Sequence, residues 1–245
     1  MRSDRRSGFT LVEIMVVIAI ISVLAGLMFM ALPFARERGR QIMCRSNLKQ
    51  LGMAMTLYSE NNLCLPMAMQ QDESLGTVYY SDLLCIPYIV TGSPSLRTAS
   101  DQIAASMNLR LAGKLNGVFY CPNAGDRSTP SYGVNAFNDQ AMTSIGGQTG
   151  SHQFGLNWEL RGGGFVPITL NEITNPGSTI YLVDSKPGAD FWHVGQNTEN
   201  AANPTTDFPS LDARHAGRFC ALYVDGHSDY VTEDNPSEWC VQKPM

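Results

Sequence analysis

Apolar positions along the chain fall into two regimes. From Ile14 to Ala35 the sequence reads IMVVIAIISVLAGLMFMALPFA, 22 residues without a charge. At about 1.5 Å rise per residue such a helix covers roughly 33 Å, close to the ~30 Å hydrocarbon thickness of a bilayer. A helix in a soluble core rarely runs that far without a polar face, so this run predicts a membrane-spanning helix. Beyond Pro33 the pattern becomes amphipathic: Leu48, Leu51, Met55 and Tyr58 recur at three- and four-residue spacings. That stripe predicts that the helix continues and packs on a globular domain. Pro33 is expected to kink it by removing one backbone donor, with Gly26 and Gly39 as further soft points. Asn61, Asn62 and Pro66 end it.

The rest of the chain is interrupted by Gly, Pro, Asn and Ser, and its short alternating runs predict an α+β domain with an antiparallel sheet over residues 63–245. Val78 to Tyr80, Gly117 to Cys121, Ser178 to Asp184, Arg218 to Val224 and His227 to Val231 read as strands. Residues 97–115 read as a helix opened by Ser100 or Asp101 and closed near Gly113. Segments 143–164 and 186–210 have no periodicity and read as long surface loops. Gly162-Gly163-Gly164 leads into Phe165-Val166-Pro167, which fits no phosphate-binding fingerprint. Trp158, Trp192 and Trp239 are expected to serve packing ahead of any carbohydrate platform.

Composition narrows the function. With 44% hydrophobic residues the chain can fill a core, and a formal charge of −5 gives no basic excess for nucleic acid. Six cysteines (Cys44, Cys64, Cys85, Cys121, Cys220 and Cys240) include no Cys-x-x-Cys pair. They suit either disulfides in an exported domain or buried free thiols. A single helix from Cys44 to about Asn61 would set Cys44 roughly 26 Å from the helix end, out of reach of Cys64.

The N-terminus does not read as an ordinary secretory signal, whose apolar stretch is shorter and is followed by the cleavage site. Glu13 sits just inside the apolar run, where a carboxylate needs a partner. Arg5-Arg6-Ser7-Gly8 followed by Phe9-Thr10-Leu11-Val12-Glu13 resembles the prepilin-peptidase site of type IV pilins and type II secretion pseudopilins. The resemblance implies a leader over residues 1–8, cleavage between Gly8 and Phe9 on the cytoplasmic side, methylation of the Phe9 amine, and a retained helix over residues 9–35, with its outer half at 36–62. Glu13 would pair with the Phe9 amine of a neighbouring subunit and set the assembly register. Arginines on both sides of the span, Arg2, Arg5 and Arg6 before it and Arg36, Arg38 and Arg40 after it, leave the positive-inside rule undecided. The cleavage-site resemblance instead places residues 36–245 outside the cytoplasm, on an inner-membrane protein with a periplasmic domain or in an extracellular filament. Loss of the leader takes the formal charge from −5 to −7.

Near the C-terminus, RHAGRFCALYVDGHSDYV places Asp225-Gly226 between two alternating runs, a hairpin signal in which glycine takes positive φ. His215 precedes it by nine intervening residues. Together with Cys44-Arg45-Ser46-Asn47-Leu48-Lys49-Gln50-Leu51, Cys121-Pro122, Tyr132-Gly133-Val134-Asn135 and Asp184-Ser185, this segment resembles the H-x9-D-G pilin-like proteins, a DUF1559-like group expanded in planctomycetes and their relatives. That resemblance implies a pilin-like fold and an exported subunit, but no reaction and no ligand.

Asp184, His215, Asp225 and His227 form a weak candidate metal set. Turn chemistry explains Asp225, and loop hydrogen bonding explains the histidines, so no cofactor is expected. If a cation binds, calcium on Asp carboxylates and loop carbonyls, as in some pseudopilins, ranks above zinc. Ser185 or Ser228 with His215 and Asp184 lacks the Gly-x-Ser-x-Gly elbow of a hydrolase, and the chain reads as a non-enzyme. The expected function is a structural subunit, pilin or pseudopilin, of a type IV pilus or type II secretion filament, partnered by prepilin peptidase, by other pilins and by the membrane through residues 14–35. The alternative is a membrane-held or filament-tip binding module that recognises polysaccharide, a surface or a secretion substrate through its loops.

Overall fold

A computed structural model describes residues 9–90, 98–135, 152–153, 156–157, 169–173, 175–186, 193–194 and 211–232. Gly8, Cys240, Trp158, Trp192, Trp239, the Gly162–Gly164 run and most of segments 143–164 and 186–210 lie outside those residues. The chain divides into two units, Met1–Arg40 and Gln41–Met245.

The first element is a 52-residue helix, α1 (Leu11–Asn62), long and apolar enough to cross a membrane. Pro33 lies inside it. Thr10 and Glu13 close its N-terminus as a capping box. The Glu13 carboxylate accepts from the Thr10 backbone N–H at 2.7 Å and from Thr10 Oγ1 at 2.8 Å, while Thr10 Oγ1 accepts from the Glu13 N–H at 3.3 Å. The Thr-x-x-Glu spacing was readable in the sequence as a cap, a second role for Glu13 beside the expected pairing. Ile14 to Met30 present exposed apolar side chains throughout, as a helix made for a non-aqueous surrounding should.

In the second unit α1 buries the predicted stripe, with Leu48 and Leu51 at 0% exposure, Met55 at 1% and Tyr58 half-buried, and the buried face extends back one turn to Cys44, also at 0%. It ends at Asn62, as the sequence predicts. A small hairpin follows, β1 (Met69–Asp72) with β2 (Gly76–Tyr79), and then a short helix α2 (Tyr80–Leu84) that continues into a π-helical turn at Cys85–Ile89. The strand expected at Val78 to Tyr80 therefore ends one residue earlier, where Asp82 accepts from the Tyr79 N–H at 3.0 Å and starts the helix. Helix α3 (Ala99–Leu111) lies within the predicted 97–115, but its cap is Thr98, not Ser100 or Asp101. Thr98 Oγ1 accepts from Asp101 N–H, and Asp101 accepts in return from Thr98 N–H. Gly113, at φ 64°, closes it as predicted. Arg110 of α3 reaches the fully buried Asp82 carboxylate at 2.8 Å.

The main sheet has the order β7-β3-β6-β8-β9, with β3 (Tyr132–Asn135), β6 (Ile180–Asp184), β7 (His193–Val194), β8 (Phe219–Tyr223) and β9 (Ser228–Val231). Four of these strands are antiparallel neighbours, and β7 joins β3 in parallel. Within segment 186–210, His193–Val194 is thus a sheet edge. Within segment 143–164, β4 (His152–Gln153) pairs with β5 (Leu156–Asn157). The strand expected at Gly117 to Cys121 is a 3₁₀ turn, Gly117–Phe119, because Asn116 caps Val118 N–H at 3.1 Å and opens a turn.

Both sheet faces are covered. Cys220 and Leu222 of β8 pack with α1, whereas Phe219, Ala221 and Tyr223 join Ile180, Val183 and Leu211 on the opposite face. A register shift between Ile180 and Leu182 sends Tyr181 and Leu182 together to the α1 side. Two residues beyond Leu182, Asp184 falls on that same side.

At Gly52, α1 lies close against the β8–β9 hairpin: an added Cβ would lie 2.8 Å from Leu222 Cδ1 and 3.2 Å from the Gly226 carbonyl oxygen. The backbone there cannot step aside as a side chain does. Gly52→Val is expected to cost about 1–3 kcal/mol by overpacking. Thermal unfolding of the full chain in detergent should show a Tm lowered by about 3–10 °C. An unchanged Tm would mean that α1 does not seat here.

Candidate functional site

The short motifs quoted from the sequence meet in one place. Cys44 faces the sheet from the buried stripe of α1, beside Tyr132 of β3, whose hydroxyl is 3.3 Å from Cys44 Sγ. Asp184 ends β6, and its Oδ1 accepts from Cys44 Sγ at 3.7 Å. Cys121, just after the 3₁₀ turn, has its sulfur 3.3 Å from His215 Nε2, and that nitrogen is 3.3 Å from Asp184 Oδ2. Cys44, Cys121, Asp184 and His215 are all fully buried.

Local structure explains how each arrives. His215 precedes a two-residue turn in which Ala216 and Gly217 both take positive φ, 55° and 79°. His215 N–H donates to Arg218 C=O at 2.9 Å and Arg218 N–H donates back at 3.3 Å, closing a tight hairpin-type loop. That loop turns the imidazole inward, edge-on to Tyr230 at 5.8 Å. Asp184 is oriented by the Cys220 N–H, which donates to Oδ2 at 2.7 Å. The neighbours in the motifs do the joining. Arg45 donates to Ser228 C=O at 2.7 Å, Asn47 donates to Tyr120 C=O at 3.0 Å, and Asn135 donates to Ile180 C=O at 2.9 Å. Ser185 N–H donates to Ser131 C=O at 2.9 Å, locking β6 beside β3.

The electrostatics follow from burial and crowding. For the Cys44 thiol, the hydrogen bond to Cys121 lowers the pKa. The hydrogen bond to Cys220, burial and the Asp184 charge raise it, and the net is far above the usual thiol range. Cys121 is raised similarly by its hydrogen bond to Cys44, burial and Asp184, against a lowering by His215. Burial pulls His215 down, but its hydrogen bonds to Asp184 and Cys121 and the Asp184 charge outweigh that and lift it to about 9. These shifts favour a protonated His215 imidazole and protonated Cys44 and Cys121 thiols packed around Asp184.

Of the four candidate ligands, the structure brings Asp184 and His215 together and separates them from Asp225 and His227. The five-residue β8 strand, roughly 17 Å long at about 3.4 Å per residue, lies between the two pairs. Asp225 and His227 form a turn of their own: Asp225 Oδ1 accepts from His227 N–H at 3.0 Å and lies 2.5 Å from His227 Nδ1. His227 also stacks on Tyr223 at 4.1 Å. Gly226, at φ 89°, supplies the expected positive φ. The hairpin signal holds, and Asp225 serves it as turn chemistry. Cys44 and Cys121 were missed as site residues, although both head motifs singled out in the sequence. Scattered single cysteines carry no spacing signal.

Residues 34–167, more than half the chain, match the family described as "Protein of unknown function (DUF1559)". Residues 3–29 match the prokaryotic N-terminal methylation motif. The chain belongs to the DUF1559 family and is pilin-like. Over 75 residues this DUF1559 protein is 31% identical to type II secretion system core protein G of Pseudomonas aeruginosa, a stretch covering 31% of this chain and 53% of that protein. The alignment thus spans about half the length of that relative. No solved structure matches the chain. The methylation motif, the pseudopilin relative and the long apolar helix together make it a pilin- or pseudopilin-like subunit with an N-terminal membrane anchor.

Proposed function

We propose that this DUF1559 protein is a structural, non-enzymatic subunit of a type IV pilus or type II secretion filament. Prepilin peptidase cuts it between Gly8 and Phe9, the Phe9 amine is methylated, and α1 carries it into the filament with the second unit on the non-cytoplasmic side. The observation that supports this most is at the head of α1. Glu13 is the sole charged residue from Phe9 to Ala35, and it sits one turn from the amine that cleavage would create. A carboxylate at the edge of an apolar helix is stabilised by an ammonium from a neighbouring chain. Because either group alone is costly in that surrounding, the pair fixes the stagger between subunits.

The test is the composition of filaments sheared from cells that express the chain at its native level. A main subunit should dominate the sheared fraction and vanish from it when prepilin peptidase is deleted, accumulating in the membrane instead. Recovery at trace level only would point to a tip or binding role. Recovery independent of the peptidase would contradict the assembly route.

A further inference from the structure

One ligand-bearing atom from each of Cys44, Cys121, Asp184 and His215 lies within 4.8 Å of all the others, and each residue is 0% exposed. We propose that the chain binds one zinc ion here, held by the two thiolates, His215 Nε2 and one Asp184 carboxylate oxygen. The proposal stands apart from the filament reading, since it rests on the second unit alone.

The distances fit the ion. Tetrahedral zinc with sulfur at about 2.3 Å and nitrogen or oxygen at about 2.0–2.2 Å sets ligand-to-ligand edges of about 3.3–3.8 Å. Cys121 Sγ to His215 Nε2 and His215 Nε2 to Asp184 Oδ2 are both 3.3 Å, Cys44 Sγ lies 3.7 Å from the other Asp184 oxygen, Oδ1, and the four ligand atoms all fall within 4.8 Å of one another, so small side-chain shifts close the tetrahedron. Two sulfurs, an imidazole and one carboxylate suit zinc. Calcium and magnesium take all-oxygen shells, which this donor set cannot supply.

The surroundings fit as well. The Asn123 side-chain amide is 3.5 Å from His215 Nδ1. With its oxygen turned to the ring it accepts Nδ1–H and leaves the Nε2 lone pair for the metal. The Tyr132 hydroxyl is placed to donate to the Cys44 thiolate, and the Cys220 N–H holds Asp184 in place. Two thiolates and a carboxylate around Zn²⁺ leave one net negative charge. The Arg214 guanidinium, beside Asp184 and Cys121, offsets it. Arg214 Nε and Nη1 are buried, and the neighbouring Cys121 sulfur becomes a stronger acceptor for the guanidinium once it is a thiolate.

Four protein ligands and full burial leave no open coordination position, so the ion is structural and not catalytic. Its ligands come from α1, from the segment after the 3₁₀ turn, from the end of β6 and from the turn before β8. Binding therefore clips the outer half of α1 to the sheet and closes very long loops of chain. It also keeps two neighbouring thiols from oxidising to a disulfide.

The experiment uses the full chain, solubilised in detergent and purified without chelator. Zinc is measured by atomic emission, and the ion is then exchanged for Co²⁺. One zinc per chain is expected, and the Co²⁺ form should show tetrahedral ligand-field bands with thiolate-to-cobalt charge transfer. Cys121→Ser should weaken zinc binding by at least about 100-fold, more than loss of an outer partner costs. His227→Ala should leave it unchanged. Less than a tenth of an equivalent of zinc in the zinc-equilibrated chain would overturn the proposal, as would a Cys44–Cys121 disulfide in the native protein. Zinc lost in His227→Ala but kept in Cys121→Ser would overturn it too. If Cys121→Ser does not fold, the wild-type cobalt spectrum still decides: bands without thiolate charge transfer contradict the site.

Discussion

Glu13→Gln is expected to give a chain that is processed and held in the membrane but absent from filaments. The substitution is chosen because Glu13 has two roles that alanine would remove together. Its carboxylate completes the capping box with Thr10, and a glutamine oxygen serves that cap nearly as well. What glutamine cannot do is neutralise the Phe9 ammonium of a neighbouring subunit. If assembly depends on that charge pair, the Gln and Ala variants should fail alike, with loss of essentially all signal in sheared filaments, while mass spectrometry shows both cleaved. Normal incorporation of Glu13→Gln alongside failure of Glu13→Ala would reduce the residue to a helix cap. Normal incorporation of both would remove the pairing from the mechanism altogether.

The second large effect concerns the other half of the same helix. Leu48→Ala, at a fully buried position between α1 and the sheet, should cost about 2–5 kcal/mol through lost burial and the cavity left behind. In thermal unfolding of the full chain in detergent that is a fall of roughly 5–15 °C. Met43, on the same helix but 57% exposed, is the control, and Met43→Ala should stay within about 0.5 kcal/mol. Equal effects at the two positions would contradict the orientation of the buried stripe.

The helix was legible in the sequence because its signals are local and periodic. The uncharged run, the three- and four-residue stripe and the Asn61-Asn62 stop each depend on near neighbours. The strands at β6, β8 and β9 were legible for the same reason, as continuous or alternating apolar runs. Gly117 to Cys121 misled because an apolar pentapeptide has no period of its own, and the Asn116 side chain decided in favour of a turn. The α2 helix was hidden because its start depends on Asp82, a buried carboxylate that looks like a surface residue until Arg110 arrives from α3.

The buried cluster was half legible. Asp184 and His215 were singled out as possible ligands, but in one set with Asp225 and His227. Strand geometry sends those two to the other end of β8. Their true neighbours, Cys44 and Cys121, lie 140 and 94 positions away along the chain. Only the fold could supply that pairing: the stripe faces Cys44 inward, the β6 register shift brings Asp184 to the same side, and the tight turn at Ala216-Gly217 delivers His215. The scattered motifs that carried the family resemblance are thereby explained physically. Each one either lines this cluster or fastens the elements that bring it together.

The central claim is that the chain is a prepilin-type precursor matured into a filament subunit, and the intact mass of the protein isolated from its own cells tests it most directly. The account predicts a chain that begins at Phe9 with a methyl group on the new amine and has lost the eight residues Met1 to Gly8. A native protein whose mass corresponds to an unprocessed chain starting at Met1 would contradict it.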